Sequence, residues 1–355
     1  MKKARLATAA AALALALVAG AGASAAGSNV YTVTNLVSDQ QGVAAHQDSS
    51  LVNAWGLTSL PMSPWWVSDN GTNGTTLYKA DGTSVDLSPT VHEIAVPHNP
   101  TGAVANASGT GFVVTSGAAS GSSRFIFSTE DGTILGWSPA VSLGSAVVAV
   151  PNTTGAVYKG LTLAGDRLFA TDFHNGRVDV FDGSFQRVMT PGGFVDPHIP
   201  AGYAPFGIQN VNGNIVVTYA KQDADAHDDV PGQGHGFVDM FDTNGNLIVR
   251  VAQHGQLNSP WGIAMAPDSF GAFGGDLLIG NFGDGEISAF APQPDGTFEL
   301  VGQLRGSDHK VLSIDGLWAL QFGKGAPNNG PTTTLFFTAG PDDESHGLFG
   351  TITAG

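Results

Sequence analysis

The chain has 355 residues, 49 of them glycine, with 12% charged residues, no cysteine and a net charge of −16. The acidic excess argues against nucleic acid or an anionic membrane surface as a partner, and the missing cysteines exclude a disulfide framework. Many glycines with few charges point to short strands and tight turns, not to helices or a disordered chain.

Lys2, Lys3 and Arg5 precede an apolar run from Leu6 to Val18, and small residues follow to Ala23-Ser24-Ala25. This order is that of a secretory signal peptide spanning residues 1–25. The expected product is secreted, extracellular or periplasmic, with no membrane span after cleavage. Its loss removes three cations and no acid, so the net charge moves from −16 to −19. The remaining residues, 26–355, are expected to form a single domain.

Val30 to Val37 alternates as a strand, and thereafter a three-beat phrase recurs six times. The first beat is Trp55-Gly56-Leu57, Thr101-Gly102-Ala103, Lys159-Gly160-Leu161, Phe206-Gly207-Ile208, Trp261-Gly262-Ile263 and Trp318-Ala319-Leu320. The second is an apolar strand with a small polar turn (WWVSDNG, FVVTSG, FATDFHNG, IVVTYAK, LLIGNFGDG, LFFTAGPDD). The third is a short strand with its own turn, as in TLYKADG and RFIFSTEDG. Six all-β units of this length predict a six-bladed β-propeller. The sixth unit runs out of chain after three strands, so the N-terminal strand is expected to complete and close the last blade, which would hide open sheet edges. Trp55, Trp261 and Trp318 share one repeat position and are expected to pack between blades.

The phrases NAWGL, SDNGT, ATDFHNGRVDVFDG, SPWGIAMAP, GAFGGDLLIGNFGDG and FTAGPDDESHGLFG resemble a conserved family of exported bacterial and fungal propellers with no assigned activity. SPWGIA with LLIGNFGDGEISAF is similar, more distantly, to the NHL repeat, and six blades resemble the gluconolactonase and paraoxonase-type lactonases. The distant resemblance implies a divalent ion, Ca²⁺ or another, near the pore, and a lactone or ester as substrate.

In a propeller the turns after the second strands ring a bowl over the central channel. Asp69, Asp172 and Asn281 are the metal-ligand candidates there, with Asn70, Asn281 and His346 as ligand-binding groups, since carboxylates and amide carbonyls suit a hard cation. The alternative is that Asp and Asn occupy these turns because they cap their own backbone. The fourth unit replaces its turn by AKQDADAHDDVPGQGHG, which adds Asp223, Asp225 and Asp228 to the metal candidates. An EF-hand is rejected, because the twelfth residue from Asp223 is Gly234. His174, Asp172, Tyr219 and Lys221 are the catalytic candidates. Zinc-type histidine spacing, a G-x-S-x-G elbow and nucleotide-binding glycine loops are all missing, so no nucleotide cofactor is expected. Two functions remain: a metal-dependent hydrolase of lactones or esters, and a non-enzymatic binding module for a glycan, peptide or small molecule. A monomer is expected in either case.

Overall fold

The structure, a computed structural model, describes residues 28–355; the expected signal peptide lies outside the described residues. Six sheets form a ring and the described residues hold no α-helix, so the protein is an all-β six-bladed propeller. The inner strands are Ala54–Thr58, Pro100–Ala105, Tyr158–Ala164, Tyr203–Val211, Pro260–Met265 and Leu317–Phe322. Each packs beside the next, and the last beside the first. Blades are numbered 1 to 6 in that order. The sixth sheet draws its outer strand from the other end of the chain: Tyr31–Ser38 pairs antiparallel with Leu348–Ala354.

The repeated glycine motif falls on the inner strands, and its cause is close approach. A Cβ placed on Gly56, Gly102, Gly160, Gly207 or Gly262 would lie under 3.0 Å from backbone of the next inner strand. Pairing between first and second strands also slips at this motif, as between Tyr158 and Gly160 or Pro260 and Gly262. Such a bulge takes an N–H out of the ladder, and a buried N–H needs another acceptor. In four blades a second-strand hydroxyl supplies it. The N–H groups of Gly102, Gly160, Gly207 and Ala319 donate to Ser128, Thr171, Thr218 and Thr338. Thr171 and Thr338 then donate onward to the carbonyls of Phe206 and Trp55 on the neighbouring inner strand.

Apolar packing fills the spaces between blades, for example Val216 and Val238 of blade 4 against Ile263 and Leu277 of blade 5. The tryptophans depart from the expected place. Trp55, Trp261 and Trp318 meet one another across the ring axis, not between blades, with Trp55 and Trp318 stacked at 3.6 Å between centroids and Trp261 edge-on to both. They are large, and their slot opens each inner strand, where six strands converge. Below them the channel narrows to a cavity of about 30 Å³ lined by Gly56, Gly102, Leu161, Ile208 and Ala319, room for roughly one water.

Blade 2 corrects the expected strand order. Val113–Ser116 pairs with Ala119–Ser122 in a separate hairpin, and the blade's second and third strands are Phe125–Thr129 and Ile134–Trp137. The turn facing the channel mouth is therefore Glu130-Asp131-Gly132, and Ser116 sits on the exposed hairpin.

Candidate functional site

The tryptophan cluster floors a polar network to which every blade contributes. Lys159 is the second residue of the inner strand of blade 3, in the slot that four other blades give to Trp or Phe. Its ammonium lies 5.2 Å over the Trp55 ring, and only 2% of its side chain is exposed. It donates to Glu130 Oε1 and, at 3.0 Å, to Asp228 Oδ1. Glu130 comes from the blade 2 turn and Asp228 from the blade 4 insertion. The other Glu130 oxygen accepts from Asn70 Nδ2 at 2.9 Å, and Asn70 Oδ1 accepts from Asn53 Nδ2 at 3.2 Å. Asn53 Nδ2 also donates to Glu344 Oε1 of blade 6 at 3.0 Å, while Asn53 Oδ1 accepts the Trp55 indole N–H at 2.8 Å. Blade 5 enters through Trp261, whose indole N–H donates to the Lys159 carbonyl at 3.1 Å.

Electrostatics follow from this burial. Desolvation would lower the Lys159 pKa, but the Glu130 and Asp228 carboxylates outweigh it and hold the ammonium above its usual value. Burial pushes Glu344 up to about 7, with Glu130 and Asp228 adding to the rise and the Asn53 hydrogen bond and Lys159 opposing it. The site thus holds a charged amine and a carboxyl that titrates near neutrality, the pairing expected of a proton-transfer centre. Glu344 is delivered by an unusual turn: Asp342, Asp343 and Glu344 all have left-handed φ, at 54°, 52° and 65°. Three successive non-glycine residues there cost about 1–2 kcal/mol each, and strain of this kind gathers at functional sites.

The blade 4 insertion folds over blade 3. The Ala226 carbonyl lies 3.3 Å from His174 Nδ1, and His227 Nδ1 lies 2.9 Å from Asp228 Oδ1. Beneath it an open groove of about 770 Å³ runs outward from Glu130, lined by His98, Asp131, Asn152, His174, Asp225 and His227.

Of the residues nominated from sequence, Asn70 and Asp228 join the network directly, and Asp225 and His174 line the groove beside it. Asp223 accepts the His227 N–H within the insertion. Asp172 is spent on its own blade, accepting from Asn175 and pairing with Arg177 at 3.0 Å. Asn281 donates to the Gln256 carbonyl and to Asp284, and its own carbonyl oxygen is buried without a protein partner. Asp69 is buried against Thr76, with its carboxyl pushed well above the usual range by desolvation. The Tyr219 hydroxyl is buried without a partner, and desolvation raises it in the same way. Lys221 ends its strand, its carbonyl accepting the Val230 N–H. His346 turns to Asp39, 2.7 Å from its carboxylate. The sequence reading missed Lys159, Glu130, Asn53 and Glu344.

Glu130, His227 and Asp228 each offer a ligand atom, all within 4.8 Å of one another, which makes them the candidate ion-binding group. Two carboxylates and an imidazole are a plausible donor set in chemical type. Both carboxylates, however, already contact the Lys159 ammonium. A divalent ion does not fit this set as the side chains stand.

No protein-family model matches the chain. "Uncharacterized protein R648" of Acanthamoeba polyphaga mimivirus is 34% identical over 331 residues, covering 91% of this chain and 80% of the relative. "Uncharacterized protein L690" of the same virus is 32% identical over 333 residues, covering 91% and 85%. The chain belongs to the family of these mimivirus proteins. Solved structures inform only the architecture. The soluble aldose sugar dehydrogenase of Escherichia coli matches with a TM-score of 0.56 at 10% identity, over 92% of this chain and all of that one. A putative gluconolactonase matches with a TM-score of 0.53 at 16% identity, over 91% and 92%. The family is thereby tied to the propeller fold of these enzymes. Among the described residues no helix is long and apolar enough to cross a membrane.

Proposed function

We propose that the protein hydrolyses a lactone or ester at the channel mouth, with Glu344 as general base and Lys159 as the cationic group facing the developing oxyanion. The observation that carries this reading is a carboxyl titrating at about 7 in one hydrogen-bonded network with a buried ammonium. Two acceptors, Glu130 and Asp228, take two of the three ammonium hydrogens, which leaves one to donate. In the reaction Glu344 takes a proton from water, whose oxygen bonds to the carbonyl carbon. The C–O bond to the leaving oxygen then breaks, and that oxygen takes the proton from Glu344, giving an acid and an alcohol or, from a lactone, one hydroxy acid. A divalent ion has no part in this reading: of Glu130, His227 and Asp228, whose ligand atoms lie close enough together to hold one, two pair with Lys159.

A panel of aliphatic and sugar lactones and aryl esters tests the proposal. Glu344→Gln is expected to lower kcat by about 10²–10⁴, and Lys159→Met to lower kcat more than it raises KM. Hydrolysis by wild type that both variants retain would sink the assignment. We further propose export: protein recovered from the culture medium should begin at Ala26.

The polar groove favours a second reading, a module that holds a polyhydroxylated ligand without altering it. Calorimetric binding of a sugar acid, equal in wild type and Glu344→Gln and without turnover, would support that reading over the first.

A further inference from the structure

The three candidate ion ligands surround a charge that the chain carries itself. Lys159 occupies an axis-facing slot given to Trp55, Phe206, Trp261 and Trp318 in other blades, so its position is set by the repeat. Its stem crosses the Trp55 ring and its head ends between Glu130 and Asp228. A buried ammonium is tolerated only when paired and hydrogen-bonded, and so is the Glu130 carboxylate, of which 16% is exposed. The groups therefore satisfy one another. An added divalent ion would have to share the same carboxylate oxygens with a fixed positive charge a few ångströms away.

We propose that Lys159 supplies, as part of the chain, the positive charge that a divalent ion would otherwise bring. The native site then excludes such ions, and removing the lysine charge opens a place for one hard cation between the Glu130 and Asp228 carboxylates, with water completing its shell. Carboxylates with water are oxygen ligands of the kind that calcium takes. This inference stands on the pairing alone and does not depend on hydrolysis.

The test compares wild type, Asp228→Asn, Lys159→Met and Lys159→Met/Asp228→Asn as full mature chains. Metal content is measured by mass spectrometry after gel filtration, and melting is followed in millimolar CaCl2, in MnCl2 and in EDTA. Wild type is expected to carry no stoichiometric ion and to melt alike in all three solutions. Lys159→Met is expected to carry about one calcium per chain and to gain several degrees in calcium, and the double variant to lose that gain. An ion in wild type whose retention requires Asp228, with a chelator-sensitive melt, would overturn the proposal. So would a folded Lys159→Met that acquires no ion. Should Lys159→Met not fold, Lys159→Gln carries the same two outcomes. Failure of both variants to fold even in calcium also counts against the proposal, since the ion then cannot replace the ammonium.

Discussion

Glu344 is held as a neutral acid over a range where an exposed glutamate is charged, and this has a thermodynamic sign. Its pKa rises from 4.5 unfolded to about 7 folded, so between these values the native state binds the extra proton. Stability is then greatest below pH 4.5 and falls as pH rises to 7, after which the full cost of a buried charge is present. Glu344→Gln should therefore melt close to wild type at pH 5 and above it at pH 8, while activity is lost at both. Equal melting at pH 8 would show that the carboxyl is not desolvated. At this scale the sequence was partly readable. Asp228 and Asn70 were recognisable as polar groups in turns over the channel. Lys159 was visible as a lysine in an aromatic slot, but its meaning depends on partners from two other blades. Glu344 lay in a turn expected over the channel, but only the left-handed backbone directs it to Asn53.

The blade as an element explains both what the repeat revealed and where it misled. The glycine motif was legible since close packing of inner strands allows no side chain there in five blades, with Ala319 the small substitute in the sixth. Gly207→Ala would drive its methyl into the Trp261 carbonyl and is expected to cost about 3 kcal/mol, measured by denaturant unfolding. A variant within 0.5 kcal/mol of wild type would show that the ring yields easily. In blade 2 an apolar hairpin imitated the second strand, and the displaced reading placed Glu130 at the wrong end of the blade. Between blades 1 and 6, His92 bridges Asp86 at 2.7 Å and Asp48 at 2.9 Å, joining an outer segment of blade 1 to the chain that leads in from the N-terminal strand. The Asp86 hydrogen bond raises its pKa above 6.5, against some desolvation and with help from Asp48. A raised histidine stabilises fully below its unfolded pKa and ceases to do so as pH climbs through the folded value. His92→Gln should thus melt lower than wild type at pH 6 and equal it at pH 9. The His92 side chain is nearly half exposed, so the gap should stay below about 1 kcal/mol.

For the molecule as a whole, the consequential feature is that all six blades lend groups to a single network. No contiguous piece of the chain holds the whole network, so a fragment released by proteolysis would carry only part of it. The centre is thus an internal gauge of its scaffold. Heating should disturb the Trp55–Trp261–Trp318 cluster and the site together, before the outer strands separate. Tryptophan fluorescence and turnover are then expected to fall at a lower temperature than the far-ultraviolet circular dichroism of the sheets. Coincident transitions would mean that the ring opens and melts as one unit. Selection on a network assembled in this way reaches the register of every blade, so loss or duplication of a blade would break it in one step, however well the shortened or lengthened ring still folded.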